Sequence, residues 1–171
     1  PGAAVSTGIY PNPVNSLILL GKLDHQISGA DQLSVRYSLY DVTSSNSRGA
    51  GALGAPSGSA GLDNRDHGVA VGNTTTLSSR LVNEARAQFV QSHLVALPTD
   101  PIGPNVNIAG AATFGTFASS PTGRLNKMYQ AVDTLSYLAG AHTLRTGVDV
   151  LYNHDEINFL RAVRGQYAFS S

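Results

Sequence analysis

The chain has 171 residues, of which only 13% are charged, and its 11 lysines and arginines balance its 11 aspartates and glutamates. This balance gives no field that would favour nucleic acid, and no run of 18 apolar residues indicates a transmembrane helix. The absence of cysteine excludes a disulfide scaffold, a zinc–thiolate site and a thiol nucleophile.

In chain order, residues 1–15 are rich in Gly and Pro and are expected to form an extended lead-in. Residues 16–171 are predicted to form a single β domain. Apolar and polar residues then alternate with a period of two, which is typical of strands. Three pairs of such strands are joined by very short turns. The predicted hairpins are 16–44, 68–93 and 127–153.

Long segments follow the hairpins, at residues 45–66, 94–126 and 154–165. The first is low in complexity and rich in Gly, Ala and Ser, so it is not expected to bury a core of its own. The strands reach the roughly 9–11 residues that a tilted membrane-crossing strand needs. The sequence therefore predicts an all-β fold, an antiparallel up-and-down meander of six to seven long strands. It forms a barrel or barrel fragment, with short turns at one rim and long loops at the other. A water-soluble sandwich or barrel would show the same alternation.

Three segments carry a family resemblance: residues 20–41 (LGKLDHQISGADQLSVRYSLYD), 77–92 (LSSRLVNEARAQFVQS) and 139–153 (AGAHTLRTGVDVLYN). They resemble consecutive hairpins of TonB-dependent outer-membrane receptors, of the Oar-like kind with a carboxypeptidase-regulatory-like domain that is abundant in acidobacteria. The resemblance implies a 22-stranded barrel with a plugged lumen. It also implies energised uptake with a TonB complex as partner. Six strands, and a seventh begun at residues 166–171, would be part of such a barrel, so the chain is expected to continue into a missing remainder.

The polar side of the predicted strands supplies the candidate ligand-binding residues. They are expected to line the lumen and to contact a passing solute. The alternative is that they pair across strands, Glu84 and Arg86 with neighbours and Arg145 with Asp149, and merely solvate the inner wall. The candidates are Arg36, Tyr40, Glu84, Arg86, Gln88, Arg145 and Asp149.

No catalytic residue, cofactor or metal site is predicted. The nearest approach to a metal-ligand set lies in predicted loops, without the spacing that identifies a zinc site. No Gly-x-Ser-x-Gly elbow occurs, so a serine hydrolase has little support. The loop candidates are Asp66, His67, His154, Asp155 and Glu156.

Three functions remain open. The first is a segment of an outer-membrane receptor barrel, with outer-membrane lipid and the rest of the barrel as partners and solute uptake as its role. The second is a secreted or self-assembling β-module that associates with copies of itself. The third is a hydrolase whose site is not visible in the sequence, although the sequence favours a protein that is not an enzyme.

Overall fold

The computed structural model describes residues 9–170 and confirms the all-β prediction. No helix within those residues is long and apolar enough to cross a membrane. A six-stranded antiparallel sheet forms a meander of three hairpins, in which the strands lie side by side in chain order. The strands of this sheet are β1 (Val14–Ser28), β2 (Asp31–Arg48), β3 (Ala60–Ser78), β4 (Leu81–Ala96), β7 (Thr122–Ala139) and β8 (His142–Phe159).

The three hairpin turns lie at one rim, as predicted, and each has two residues. In the first turn Ser28 pairs with Asp31, and the other two turns join β3 to β4 and β7 to β8. The register is staggered, because Asp31 faces Thr75 three residues before β3 ends. A stagger that accumulates from strand to strand accompanies strands tilted to a barrel axis.

The strands extend beyond their predicted ends, mainly at the rim opposite the turns. β3 begins at Ala60, inside the segment predicted as a loop, and β8 continues to Phe159. Apolar alternation fades in these extensions, which is why their sequence looks like that of a loop. The connections between hairpins are therefore shorter than predicted.

Within the described residues the sheet is open. β1 and β8 are its edge strands, and every residue of both is exposed. The two edge strands run in opposite directions, because the sheet has an even number of antiparallel strands. Each edge therefore presents a row of backbone groups that an additional strand would satisfy.

The longer connections pack together into a cap, defined here as residues 49–59, 97–121 and 160–169. It contains a 3₁₀ turn (Pro56–Gly58) and a small sheet of β6 (Ala112–Phe114), β5 (Asn105–Ile108) and β9 (Gln166–Phe169). The expected seventh wall strand is thus wrong, because β9 pairs in parallel with β5 inside the cap. In the first connection Ser59 is 0% exposed, and it is buried partly against Thr99 of the second connection rather than by that segment alone.

Candidate functional site on the polar face of the sheet

The two faces of the six-stranded sheet differ in chemistry, and the register shows which side chains share a face. Side chains alternate between faces along each strand, and residues in one register row share a face. One row is apolar on all six strands. It contains Leu23, Val35, Val71, Ala87, Ala131 and Val150.

The next row toward the cap on this apolar face is rich in aromatic rings. The ring centroids of Phe89 and Tyr129 are 4.9 Å apart, and those of Tyr129 and Tyr152 are 6.2 Å apart. Tyr37 lies in the same row, and its hydroxyl is 2.8 Å from Nδ1 of His67. An apolar band bordered by aromatic rings is how a barrel wall meets the interface between lipid and water.

Other aromatic residues lie outside this row. Tyr40 lies on the opposite, polar face, and Tyr167 and Phe169 lie in β9 of the cap. Toward the turns the apolar face also carries polar groups, where Asn83 donates to the Asp133 carboxylate at 2.7 Å. The apolar band on this face therefore consists of the row through Val71 and the aromatic row beside it.

All seven predicted lumen residues lie on the polar face. The register rows that contain these residues are separated by even numbers of positions along the strands, so their side chains lie on the same side of the sheet. The structure thus brings them together on one surface. They are Arg36, Tyr40, Glu84, Arg86, Gln88, Arg145 and Asp149.

Glu84 is the centre of the ion pairs on this face. Its Oε2 is 3.0 Å from Nη2 of Arg145 and 3.6 Å from Nη2 of Arg86. Of the pairs in the alternative interpretation, Glu84 and Arg86 do pair with neighbours, but the pair of Arg145 with Asp149 is wrong. These two residues are four apart on one strand, roughly 13 Å at about 3.3 Å per residue, whereas Glu84 lies two strands away on the same face.

Asp149 instead lies at the end of a row of hydrogen-bonded side chains that crosses three strands. Gln88 donates its Nε2 to Oε1 of Gln130 at 2.6 Å. Gln130 in turn donates its Nε2 to both oxygens of Asp149, at 2.8 and 3.0 Å. Each amide is oriented by its partner, so these hydrogen bonds fix the side chains across the middle of the sheet.

The polar face contains a pocket of about 520 Å³ between these groups. Lys22 on β1 and Gln130 on β7 line it, although neither was among the predicted site residues. Lys22 faces Arg36 directly in the register. The sequence could have identified both, because each occupies a polar-side position in the apolar–polar alternation of its strand, as the predicted residues do. The charged side chains that line the pocket are Lys22, Arg36, Arg86 and Asp149.

The candidate metal ligands lie in strands rather than in loops. Asp66 and His67 are adjacent in β3 and therefore point to opposite faces. In β8, Nε2 of His154 lies 3.2 Å from Oε1 of Glu156, whereas Asp155 points to the other face and accepts from Asn126. Among residues 9–170 no three His, Cys, Asp or Glu side chains form a group that would hold a metal ion.

Comparison with known proteins adds one finding to this geometry. The model of the family described as outer membrane beta barrel domain matches residues 6–171. Comparisons with curated proteins and with solved structures gave no match. The match spans nearly the whole chain and agrees with the two-faced sheet, so the chain belongs to the outer-membrane β-barrel domain family, whose place is the bacterial outer membrane.

Proposed function

We propose that this chain forms part of the wall of a TonB-dependent-receptor-type barrel that takes up a solute through its lumen. Family membership supports a barrel in the outer membrane. The resemblance of the three hairpins to such receptors supports the finer assignment. Both are consistent with short turns at the periplasmic rim and long connections outside.

The observation that carries the proposal is the contrast between the two faces. One face of the sheet carries apolar side chains and aromatic rings. The other face carries charged side chains and hydrogen-bonded amide side chains. A water-soluble sheet has no use for an exposed apolar face, whereas a barrel wall needs lipid on one side and water on the other. The polar face, with its pocket, is accordingly the solute path.

The open edges indicate how the wall is completed. Unpaired backbone groups in lipid cost several kcal/mol each, so β1 and β8 need strands beside them. In the proposed receptor these strands belong to the remainder of the barrel. Energy for uptake comes from the TonB complex, as the resemblance implies.

Single-cysteine labelling tests this assignment directly, because the chain has no native cysteine. Gln88→Cys on the polar face and Ala87→Cys on the apolar face are neighbours on β4 and provide a matched pair. In intact cells we expect a membrane-impermeant maleimide to label the first and not the second. Equal labelling of both positions would contradict a lipid-facing wall.

The energised role needs a separate comparison. If the barrel is driven by the TonB complex, the labelling rate at Gln88→Cys should fall in cells that lack that complex, because its lumen then opens less often. An unchanged labelling rate would refute energised uptake but would not contradict the assignment of this chain to a barrel wall.

The two open edges also support a second candidate, closure by a second copy. Because β1 and β8 run in opposite directions, β1 of one copy would pair antiparallel with β8 of another copy in the same membrane orientation. Native mass spectrometry of the detergent-extracted protein separates the two candidates. A single polypeptide per particle supports the larger barrel, and two or more copies support closure by assembly.

A further inference from the structure

We propose that the pocket on the polar face binds the anionic group of the solute, a carboxylate or a phosphate, with Arg36 as its principal contact. This inference rests on the proposed function, because it takes this face to line a solute path. It goes beyond it by naming the chemical class that the wall recognises.

The first argument is an unfavourable pairing of like charges. Lys22 and Arg36 face each other directly on β1 and β2, and like charges opposite one another destabilise a sheet. Lys22 is partly neutralised by Asp24, whose Oδ2 lies 2.8 Å from its Nζ. Arg36 forms no ion pair with any of residues 9–170. An anion between the two cations would remove the repulsion.

The second argument is that the nearby carboxylates are already engaged. Glu84 is shared by Arg86 and Arg145, and Asp149 accepts two hydrogen bonds from Gln130. The pocket is lined by three cations and one carboxylate. Its charge is therefore positive on balance, although the whole chain is neutral.

The third argument is the space between the cations. Ala70 and Gly72 of β3 line the pocket between Arg36 on β2 and Arg86 on β4. A Cβ added at Gly72 would lie 3.0 Å from Oγ of Ser34, so the floor is already closely fitted at that point. A volume of about 520 Å³ is within the range of small-molecule sites. The planar guanidinium of Arg36 suits two-point contact with a carboxylate or phosphate.

Calorimetric titration of the purified full chain in non-ionic detergent tests the proposal, with citrate and inorganic pyrophosphate as separate probes. We expect at least one probe to bind. Arg36→Gln should weaken binding about tenfold, because a charge-assisted hydrogen bond is lost. Arg124→Gln is the matched control, since it removes the same charge from the same face outside the pocket, and it should leave the affinity unchanged.

Glu84→Gln gives a change of the opposite sign. It frees Arg86 and Arg145 from their shared carboxylate, so it should tighten binding of the probe several-fold. A preference for citrate identifies a carboxylate solute, and a preference for pyrophosphate identifies a phosphorylated one.

Two results would overturn the proposal: no heat of binding with either probe, or equal weakening by Arg36→Gln and Arg124→Gln. Neither result bears on the barrel wall, which the maleimide labelling tests without any ligand. Conversely, anion binding by a protein whose Ala87→Cys and Gln88→Cys label equally would refute the wall and leave a surface anion site.

Discussion

At the scale of single residues, the polar face is organised by carboxylates that serve more than one partner. Glu84 lies within 3.0 Å of Arg145 and 3.6 Å of Arg86. Both guanidinium groups are largely exposed, with 62% exposure of the Arg86 side chain. Water therefore competes for each contact, and such pairs typically contribute about 0–1 kcal/mol.

A double-mutant cycle of Glu84→Gln and Arg145→Gln measures this contribution. We expect a coupling energy below about 1 kcal/mol, because the pair is screened by solvent. Urea unfolding of the detergent-refolded protein supplies the four free energies of unfolding. A coupling of several kcal/mol would instead show a desolvated lumen wall.

The residues of this face were predictable from the sequence, but their partners were not. Arg36, Arg86 and Asp149 each occupy the polar side of the apolar–polar alternation in their own strand, and this alternation is visible without a structure. The partner of Arg145 depends on the pairing of β4 with β7 and of β7 with β8, which sets which strands lie between. That register is a long-range property, so the sequence suggested Asp149 where the structure has Glu84.

At the scale of the element, the side chains on the two sides of each strand meet different surroundings, lipid on one side and water on the other. On β3, Val71 lies in the wholly apolar row, whereas Thr74 lies on the polar face opposite Glu84. The same substitution at these two positions therefore meets lipid in one case and water in the other.

We expect Val71→Arg to lower the free energy of unfolding by about 2–4 kcal/mol, the cost of a basic residue on the lipid face near the midplane. Thr74→Arg, on the same strand, should be tolerated, because its guanidinium reaches water beside Glu84. Folding into lipid vesicles, followed by denaturant unfolding, gives both values. Equal destabilisation by the two changes would mean that the apolar face does not meet lipid.

The middles of the hairpins could be predicted because one face of each strand is apolar there. The ends could not, since β3 begins with Ala60 and continues through Asp63 and Asn64, two polar residues that lie on opposite faces. A strand that has left the membrane meets water on both sides and loses its alternation. Its backbone hydrogen bonds continue, and only the structure reveals them.

At the scale of the whole molecule, the most closely packed region is the junction between sheet and cap. Ser59 and Ser120 are both 0% exposed. The Ser59 hydroxyl contacts Oδ1 of Asn46 at 3.0 Å, the carbonyl of Pro56 at 2.6 Å and Oγ1 of Thr99 at 2.9 Å. One small side chain thus ties the end of β2 to two of the cap segments.

Ser59→Ala should loosen the cap without unfolding the sheet. It removes the buried hydroxyl and its hydrogen bonds to Asn46, Pro56 and Thr99, each of which typically contributes about 0.5–1.5 kcal/mol. Hydrogen exchange should accelerate at residues 49–59 and 97–121 and stay unchanged in the strands. Ser119→Ala, at a partly exposed position of the same cap, is the control, and equal acceleration by both would refute the role of Ser59.

The cap could not be predicted because it depends on contacts between segments far apart in the chain. The amide of Thr113 donates to the carbonyl of Leu53 at 2.8 Å, and that of Asn105 donates to Gly165 at 3.0 Å. Small residues such as Ser59 and Ala60 make close packing possible but leave no hydrophobic pattern. Composition alone therefore indicated a segment without a core.

The length of the strands has a consequence for the height of the cap above the membrane. Strands of 15–19 residues exceed the roughly 9–11 that a bilayer crossing needs, and at about 3.3 Å per residue and a tilt near 40° an excess of some seven residues spans roughly 18 Å. Most of that excess lies on the cap side of Val71 in β3. The cap therefore stands clear of the lipid head groups, and in the proposed orientation a bulky molecule arriving from outside meets protein before it reaches the membrane surface.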